Sequence, residues 1–306
     1  MTLHENQTPA AKTKQPHPTA KRQRLQIPKK PQEQINWTTY DLAQTNEIND
    51  ILCLIRDNVD QATYNLALQE NPPKGPGQPP KNFADQTKVL LMAQYFALPN
   101  RVAQGYLLLF REKLRLKTVF SYKTIERSYG NPTVREILDE VFELTQLPVR
   151  ELEDEFGPDA SGLATSIKQN YESDRQKNQT HQGYAKVLMM VGLKYKLYSA
   201  FRYANSPVDN ESPYFEELLE KTARRYVRVS LVTGDAAYLS RRNCDLVEAL
   251  GGVARFYPKK GTTLRQKGSV AWRKMLEELV EDPQKWLEAY HKRSNVEGSF
   301  SILKRD

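Results

Sequence analysis

The chain has 306 residues, 39% of them hydrophobic and 27% charged, with a formal net charge of +8 and two cysteines, Cys53 and Cys244. That composition supports a real core in one large domain or two ordinary ones, and no apolar run approaches the roughly 20 residues of a membrane helix. Two distant thiols and four histidines exclude a disulfide framework and a Cys- or His-rich metal site, so the chemistry falls to carboxylates, and lone thiols suit a reducing cytoplasm.

Residues 1–34 hold seven basic and two acidic residues, five prolines and almost no apolar side chains. They read as a disordered basic tail. The tail carries +5, leaving +3 for residues 35–306, and such an arm either binds nucleic acid or only solubilises. Helical spacing of Ile48, Ile51, Leu52, Ile55, Val59 and Leu66 predicts a helix from Glu47 to Gln69. The proline- and glycine-rich stretch 71–80 ends it as a loop.

Four more helices are expected: Asp85–Leu98, Arg101–Leu116, Ser121–Ser128 and one opened by Pro132. Residues 35–148 therefore read as a helical region. Its short helices and tight turns suit either a helix-turn-helix DNA reader or an ordinary bundle.

After Pro148 the texture changes. Lys186–Val191 and Leu197–Phe201 read as a hairpin, Ser212-Pro213 opens a helix, and Val227–Val232 is a β-branched strand. A helix from Ala237 to Leu250 closes at Gly251-Gly252, followed by a strand at Val253–Tyr257 and helices over Ser269–Val280 and Gln284–Lys304. Strands in a hairpin, then alternating with helices, predict an α/β domain with a mixed sheet over residues 149–306.

Two features could carry chemistry. Asp235 follows directly on a buried strand, at the carboxyl edge where open α/β sheets place their sites. It reads equally well as the N-cap of the following helix. In the last helix Tyr290, Arg293, Glu297 and Lys304 fall within one sector of about 60° at 100° per residue, beside an apolar stripe of Ala289, Val296, Phe300 and Leu303. A solvated face with an i,i+4 Arg293–Glu297 pair explains the same spacing.

The pattern Tyr290-x2-Arg293-x3-Glu297-x6-Lys304 resembles the Tyr-Arg-Glu-Lys signature of DDE transposases from bacterial and archaeal insertion sequences. Thr233-Gly-Asp-Ala-Ala-Tyr238 resembles that family's second-aspartate motif, and Gly157-Pro-Asp-Ala-Ser-Gly-Leu163 its first. Ser212–Leu219 resembles the linking helix, and Glu211 stands where many relatives have Asp; its charge suits that helix's N-terminus.

The resemblance implies a ribonuclease H-like catalytic domain, with Asp159, Asp235 and Glu297 both catalytic and metal-binding. It implies two Mg²⁺ ions, replaceable by Mn²⁺, held by carboxylate oxygens. Tyr290, Arg293 and Lys304 would grip DNA phosphates, residue types that suit that anion. Implied too are cleavage at element ends, strand transfer into target DNA, self-association in a synaptic complex, and a prokaryotic, nucleoid-associated setting without a membrane. Two alternatives stay open: an inactive remnant that only binds DNA, and a metal-dependent nuclease without strand transfer.

Asp159 is selected only by its motif. Glu151, Glu153, Asp154 and Glu155 just upstream are competing carboxylates, and Pro158 is tolerable only near a strand start or edge. Relatives usually carry further helical sequence after the position of Lys304, so the resemblance also raises a C-terminally truncated copy.

Overall fold

The computed structural model describes residues 36–68, 81–164, 184–264 and 268–303. The readings of 1–34 as a disordered tail and of 71–80 as a loop, and the candidate Lys304, lie outside those residues.

Five helices come first: α1 Trp37–Asn65, α2 Phe83–Tyr95, α3 Asn100–Leu114, α4 Tyr122–Ser128 and α5 Pro132–Gln146. The apolar stripe of α1 (Leu52, Ile55, Val59, Ala62) is buried against Val89 and Met92 of α2 and Ile137 of α5. The helix starts ten residues before its apolar spacing does. Residues 36–47, ahead of that spacing, are all exposed, so no periodicity marks them. The start is set by Asn36, whose side chain accepts from Thr39 N at 3.2 Å. Asn131 caps α5 in the same way, accepting from Thr133 N at 2.9 Å, with Pro132 at the first helical position.

The second part is a five-stranded mixed sheet in the order β3-β2-β1-β4-β5. Its strands are β1 Glu155–Ala164, β2 Tyr184–Gly192, β3 Tyr198–Tyr203, β4 Leu231–Gly234 and β5 Val253–Phe256. β1, β2 and β3 form an antiparallel meander, and β4 and β5 run parallel to β1. Helices α6 Phe215–Arg225, α7 Arg241–Ala249, α8 Val270–Glu281 and α9 Pro283–His291 complete one core, which holds Phe156, Leu188, Phe215, Val232, Phe256, Met275 and Trp286. Helix α10, Ser294–Leu303, covers the other face of the meander through Val296 and Phe300 on Val187, Met189 and Val191.

Three expectations need correction. The Val227–Val232 strand pairs only from Leu231 onward, and Val227 is exposed. The helix expected from Ala237 begins at Arg241. The last helix is two helices, broken at Lys292-Arg293. That break is held by tertiary bonds: Lys292 Nζ lies 2.6 Å from a Glu155 oxygen and Asn295 Nδ2 donates to Leu193 O at 2.8 Å.

The two parts meet where Phe142 of α5 packs edge-on against Phe201 of β3, with ring centroids 5.4 Å apart. Arg225 pairs with Glu143, and its guanidinium lies over the Phe142 ring.

Candidate active site

Asp159 and Asp235 are brought level by strand register. Glu155 pairs with Leu231 and Phe156 with Val232 in the parallel β1–β4 ladder. Counting four residues on from Glu155 and from Leu231 reaches Asp159 and Asp235. The ladder stops at Phe156, so the β4 side of β1 is open where Pro158, which has no N–H, sits.

Asp235 does not cap a helix. The N-cap of α7 is Ser240, whose Oγ accepts from Asn243 N at 3.0 Å. Asp235 instead closes its own turn, Oδ1 accepting from Ala237 N at 2.8 Å. That bond fixes the side chain and leaves Oδ2 on the side of Arg293, 4.0 Å from its Nη2.

Helix α10 carries Glu297 to the same edge. Its approach depends on Gly157, where a Cβ would lie 2.7 Å from Val296 Cγ2 and 3.2 Å from Thr233 O. Tyr198 Oη donates to Ser299 O at 2.8 Å and fixes the far side of the helix.

Arg293, in the break before α10, joins the three carboxylates. Its Nη2 lies 3.6 Å from Asp159 Oδ2 and 4.0 Å from Asp235 Oδ2, and its Nη1 donates to Glu297 Oε1 at 2.8 Å. The i,i+4 pair read from spacing is therefore present, and the same guanidinium also reaches two strands. Arg293 Nε is buried without a hydrogen-bond partner.

The electrostatics follow from this crowding. Burial raises the Asp159 carboxyl above its ordinary value, and Glu211 and Asp235 push the same way; the Ala160 N–H and Arg293 oppose them. Burial works against the charge on Arg293, yet Asp159, Tyr290, Asp235 and Glu297 together raise its pKa. Burial raises the Tyr290 hydroxyl, with Arg293 opposing. Tyr238 is fully buried, and burial, reinforced by Glu211, raises its hydroxyl well above the usual phenol range. Glu211, read as a helix-terminus charge, thus bears on the site as well, while its own carboxylate pairs with Lys186 at 3.0 Å.

The competing carboxylates are bound to structural duties. Buried Glu153 accepts from four backbone amides: Asp154, Glu155, Lys194 and Tyr195, at 2.8–3.1 Å. Burial works against the charge on Asp154, but Lys194, Ser230 and Arg228 hold its carboxyl below the ordinary value. Glu155 pairs with Lys292 and Glu151 is exposed. Thiol chemistry has no support at Cys244, since burial pushes that thiol up to about 12.

A divalent metal is the group this arrangement raises. Among the described residues no three acidic, histidine or cysteine side chains stand together closely enough to hold one. The carboxylates surround a guanidinium instead. The donors nevertheless fit in chemistry: all are hard oxygens, and they come from β1, the β4 exit and α10.

Residues 159–306 match the family described as Transposase DDE domain. That segment, just under half of the chain, is similar to the DDE transposases. The matched span begins at Asp159 and contains Asp235, Tyr290, Arg293, Glu297 and Lys304. An Archaeoglobus fulgidus protein, described as a probable transposase for insertion sequence element ISA1214, is 28% identical over 230 residues, covering 75% of this chain and 68% of that relative. A cryo-EM structure of a piggyBac transposase synaptic complex with hairpin DNA matches with a TM-score of 0.34 and 14% identity, covering 72% of this chain and 52% of that one. The chain thus spans about half the length of that solved transposase. No helix among the described residues is long and apolar enough to cross a membrane.

Proposed function

We propose that this transposase cleaves DNA at the ends of an insertion sequence and joins the freed 3′ ends to target DNA, with Asp159, Asp235 and Glu297 as the catalytic carboxylates. The observation that carries this reading is the convergence of those three side chains, from three separate elements, on Arg293. The sheet order β3-β2-β1-β4-β5 with an antiparallel β2 supports the ribonuclease H-like assignment.

Asp159, Asp235 and Glu297 would hold Mg²⁺, or Mn²⁺ in its place. When bound, the metal polarises the scissile phosphate and lowers the pKa of an attacking water or hydroxyl. The protein's own residues do the rest. The Asp235 turn and the Ala160 N–H contact orient the two aspartates. Arg293 offers a planar cation to a phosphate oxygen once the carboxylates are otherwise neutralised. Tyr290 and Lys304 complete the phosphate grip. The helices of residues 35–148 would bind the element end, with residues 1–34 adding unspecific affinity. Self-association would pair two ends, in a nucleoid setting.

Linear DNA carrying the element's own ends, incubated with the purified protein with and without Mg²⁺, tests the reading. Wild type should cut only with the metal. Asp235→Asn and Glu297→Gln should bind the ends and not cut. Normal cutting by either variant overturns the assignment.

A further inference from the structure

Arg293 is held by its chain neighbours more firmly than by its own bonds. A guanidinium carries five N–H donors. Among the described residues one of them closes a hydrogen bond, Nη1 to Glu297 at 2.8 Å. Nη2 stands 3.6 and 4.0 Å from the two aspartates, and Nε is buried without a partner. The residues that bracket Arg293 are bonded tightly. Lys292 Nζ reaches both Glu155 oxygens, at 2.7 and 2.6 Å, and Asn295 Nδ2 donates to Leu193 O at 2.8 Å.

Those contacts form one clamp. Leu193 N donates to Glu155 O at 2.8 Å, so the residue that takes Lys292 is joined to the residue that takes Asn295. Glu155 opens β1, the strand that carries Asp159. Through the clamped stretch the chain is tightened. Arg293 N donates to Tyr290 O, Asn295 N to Lys292 O and Val296 N to Arg293 O, at 2.9–3.0 Å. Each is a bond to the third residue back. Such a 3₁₀ stretch inside a helix marks a hinge or local strain, and the spacing of residues 284–304 reads as one continuous helix.

The clamp and the tightened turn thus press a poorly bonded cation into the acidic cluster. A phosphate offers Arg293 what the carboxylates here do not: two oxygens aligned for a bidentate pair.

We propose that Lys292 and Asn295 are positioning residues that latch Arg293 among Asp159, Asp235 and Glu297, and that a DNA phosphate draws the guanidinium out and leaves those carboxylates free for a divalent cation. The inference rests on the transposase reading and gives its site a regulation: the cation binds well only where DNA is already in place. Such a coupling is reciprocal, so bound cation tightens DNA by the same factor.

The test titrates the full chain with Mn²⁺ at fixed ionic strength, with and without a short hairpin duplex, reading free ion by its electron paramagnetic resonance and subtracting the duplex alone. Two variants open the clamp without changing net charge. One is Asn295→Ala; the other combines Glu155→Gln with Lys292→Gln. Without DNA each should bind Mn²⁺ about ten-fold more tightly than wild type, within the roughly 5–150-fold range of such couplings. The duplex should tighten Mn²⁺ binding in wild type by a similar factor, and in both variants by little. Lys292→Arg keeps the ion pair with Glu155 and should behave as wild type. A clamp that merely builds the site predicts the opposite sign. Mn²⁺ binding equal to or weaker than wild type in a folded clamp variant therefore overturns the proposal. Where the double variant melts well below wild type, Asn295→Ala decides. Asp235→Asn that binds Mn²⁺ as wild type does, with and without duplex, would sink the metal reading of the site, whereas equal affinities in wild type and the clamp variants sink the latch alone.

Discussion

The guanidinium of Arg293 lies 3.6 Å from the Asp159 carboxylate, and the same group serves Asp235 and Glu297. One cation is therefore shared by three anions. A divalent metal bound to those carboxylates would supply the missing positive charge and free Arg293 for a phosphate.

This sharing makes Arg293→Gln a two-condition experiment. In EDTA the variant should lose about 1.5–3 kcal/mol of stability, the range for hydrogen bonds to charged groups. Excess Mg²⁺ should recover more stability in the variant than in wild type, because the ion neutralises the carboxylates that lost their partner. Thermal melts of both proteins with and without the metal measure it. Equal metal-induced shifts would show that Arg293 and the ion do not compete for the same charges.

Asp159 gives a pH dependence with a defined sign. Its carboxyl is raised in the fold, so the folded state holds that proton more tightly than the unfolded chain. Its ionisation therefore costs stability as pH rises from the ordinary carboxylate value through the raised one, and the cost is constant above. Asp159→Asn does not titrate. In EDTA the melting temperature of Asp159→Asn minus that of wild type should become more positive across that window. A difference that falls with rising pH would mean that Arg293 dominates and the carboxyl is lowered.

Much of this fold was legible because apolar spacing reports burial. All five leading helices, the hairpin and β5 were legible from apolar residues together with cap and proline signals. Strand β1 was not legible by that route: Gly157, Pro158, Asp159 and Gly162 are poor strand formers. Pairing with β2 from Phe156 to Ala164 overrides their preference. The first residues of α1 were missed because they are all exposed and carry no apolar spacing. The break at Lys292-Arg293 depends on Glu155 and Leu193, more than 90 positions away, which no local window contains. At the site, only motif resemblance picked Asp159 from five nearby acids; their different partners became visible in three dimensions.

The two readings of Asp235 separate cleanly by mutation. Ser240 is the N-cap of α7, so Ser240→Ala should cost about 1 kcal/mol and leave cleavage per folded molecule close to wild type. Asp235→Ala should abolish cleavage at little cost to the stability of α7. Urea unfolding together with the end-cleavage assay distinguishes them. A large stability loss in Asp235→Ala would restore a structural role for that carboxylate.

Gly157 gives the sharpest test of how Glu297 is positioned. A Cβ at this position would meet Val296 Cγ2 at 2.7 Å, Leu193 Cδ2 at 3.2 Å and the backbone oxygen Thr233 O at 3.2 Å. The backbone oxygen lies in the β1–β4 ladder region and yields little, so α10 must move outward. Glu297 is the next residue after Val296 and moves with it, whereas Asp159 stays on β1 and Asp235 at the exit of β4. Gly157→Ala should therefore cost about 1–3 kcal/mol as overpacking and lower cleavage well beyond the fraction unfolded. Val296→Ala removes the nearest clash. Alone it opens a cavity, but combined with Gly157→Ala the added methyl partly fills it. The double variant should be more stable than the sum of the single losses, with a coupling of about 0.5–3 kcal/mol, and should regain cleavage. Strict additivity in stability, or an inactive double variant of wild-type stability, would show that α10 is not seated through Gly157 and that Glu297 reaches the aspartates another way.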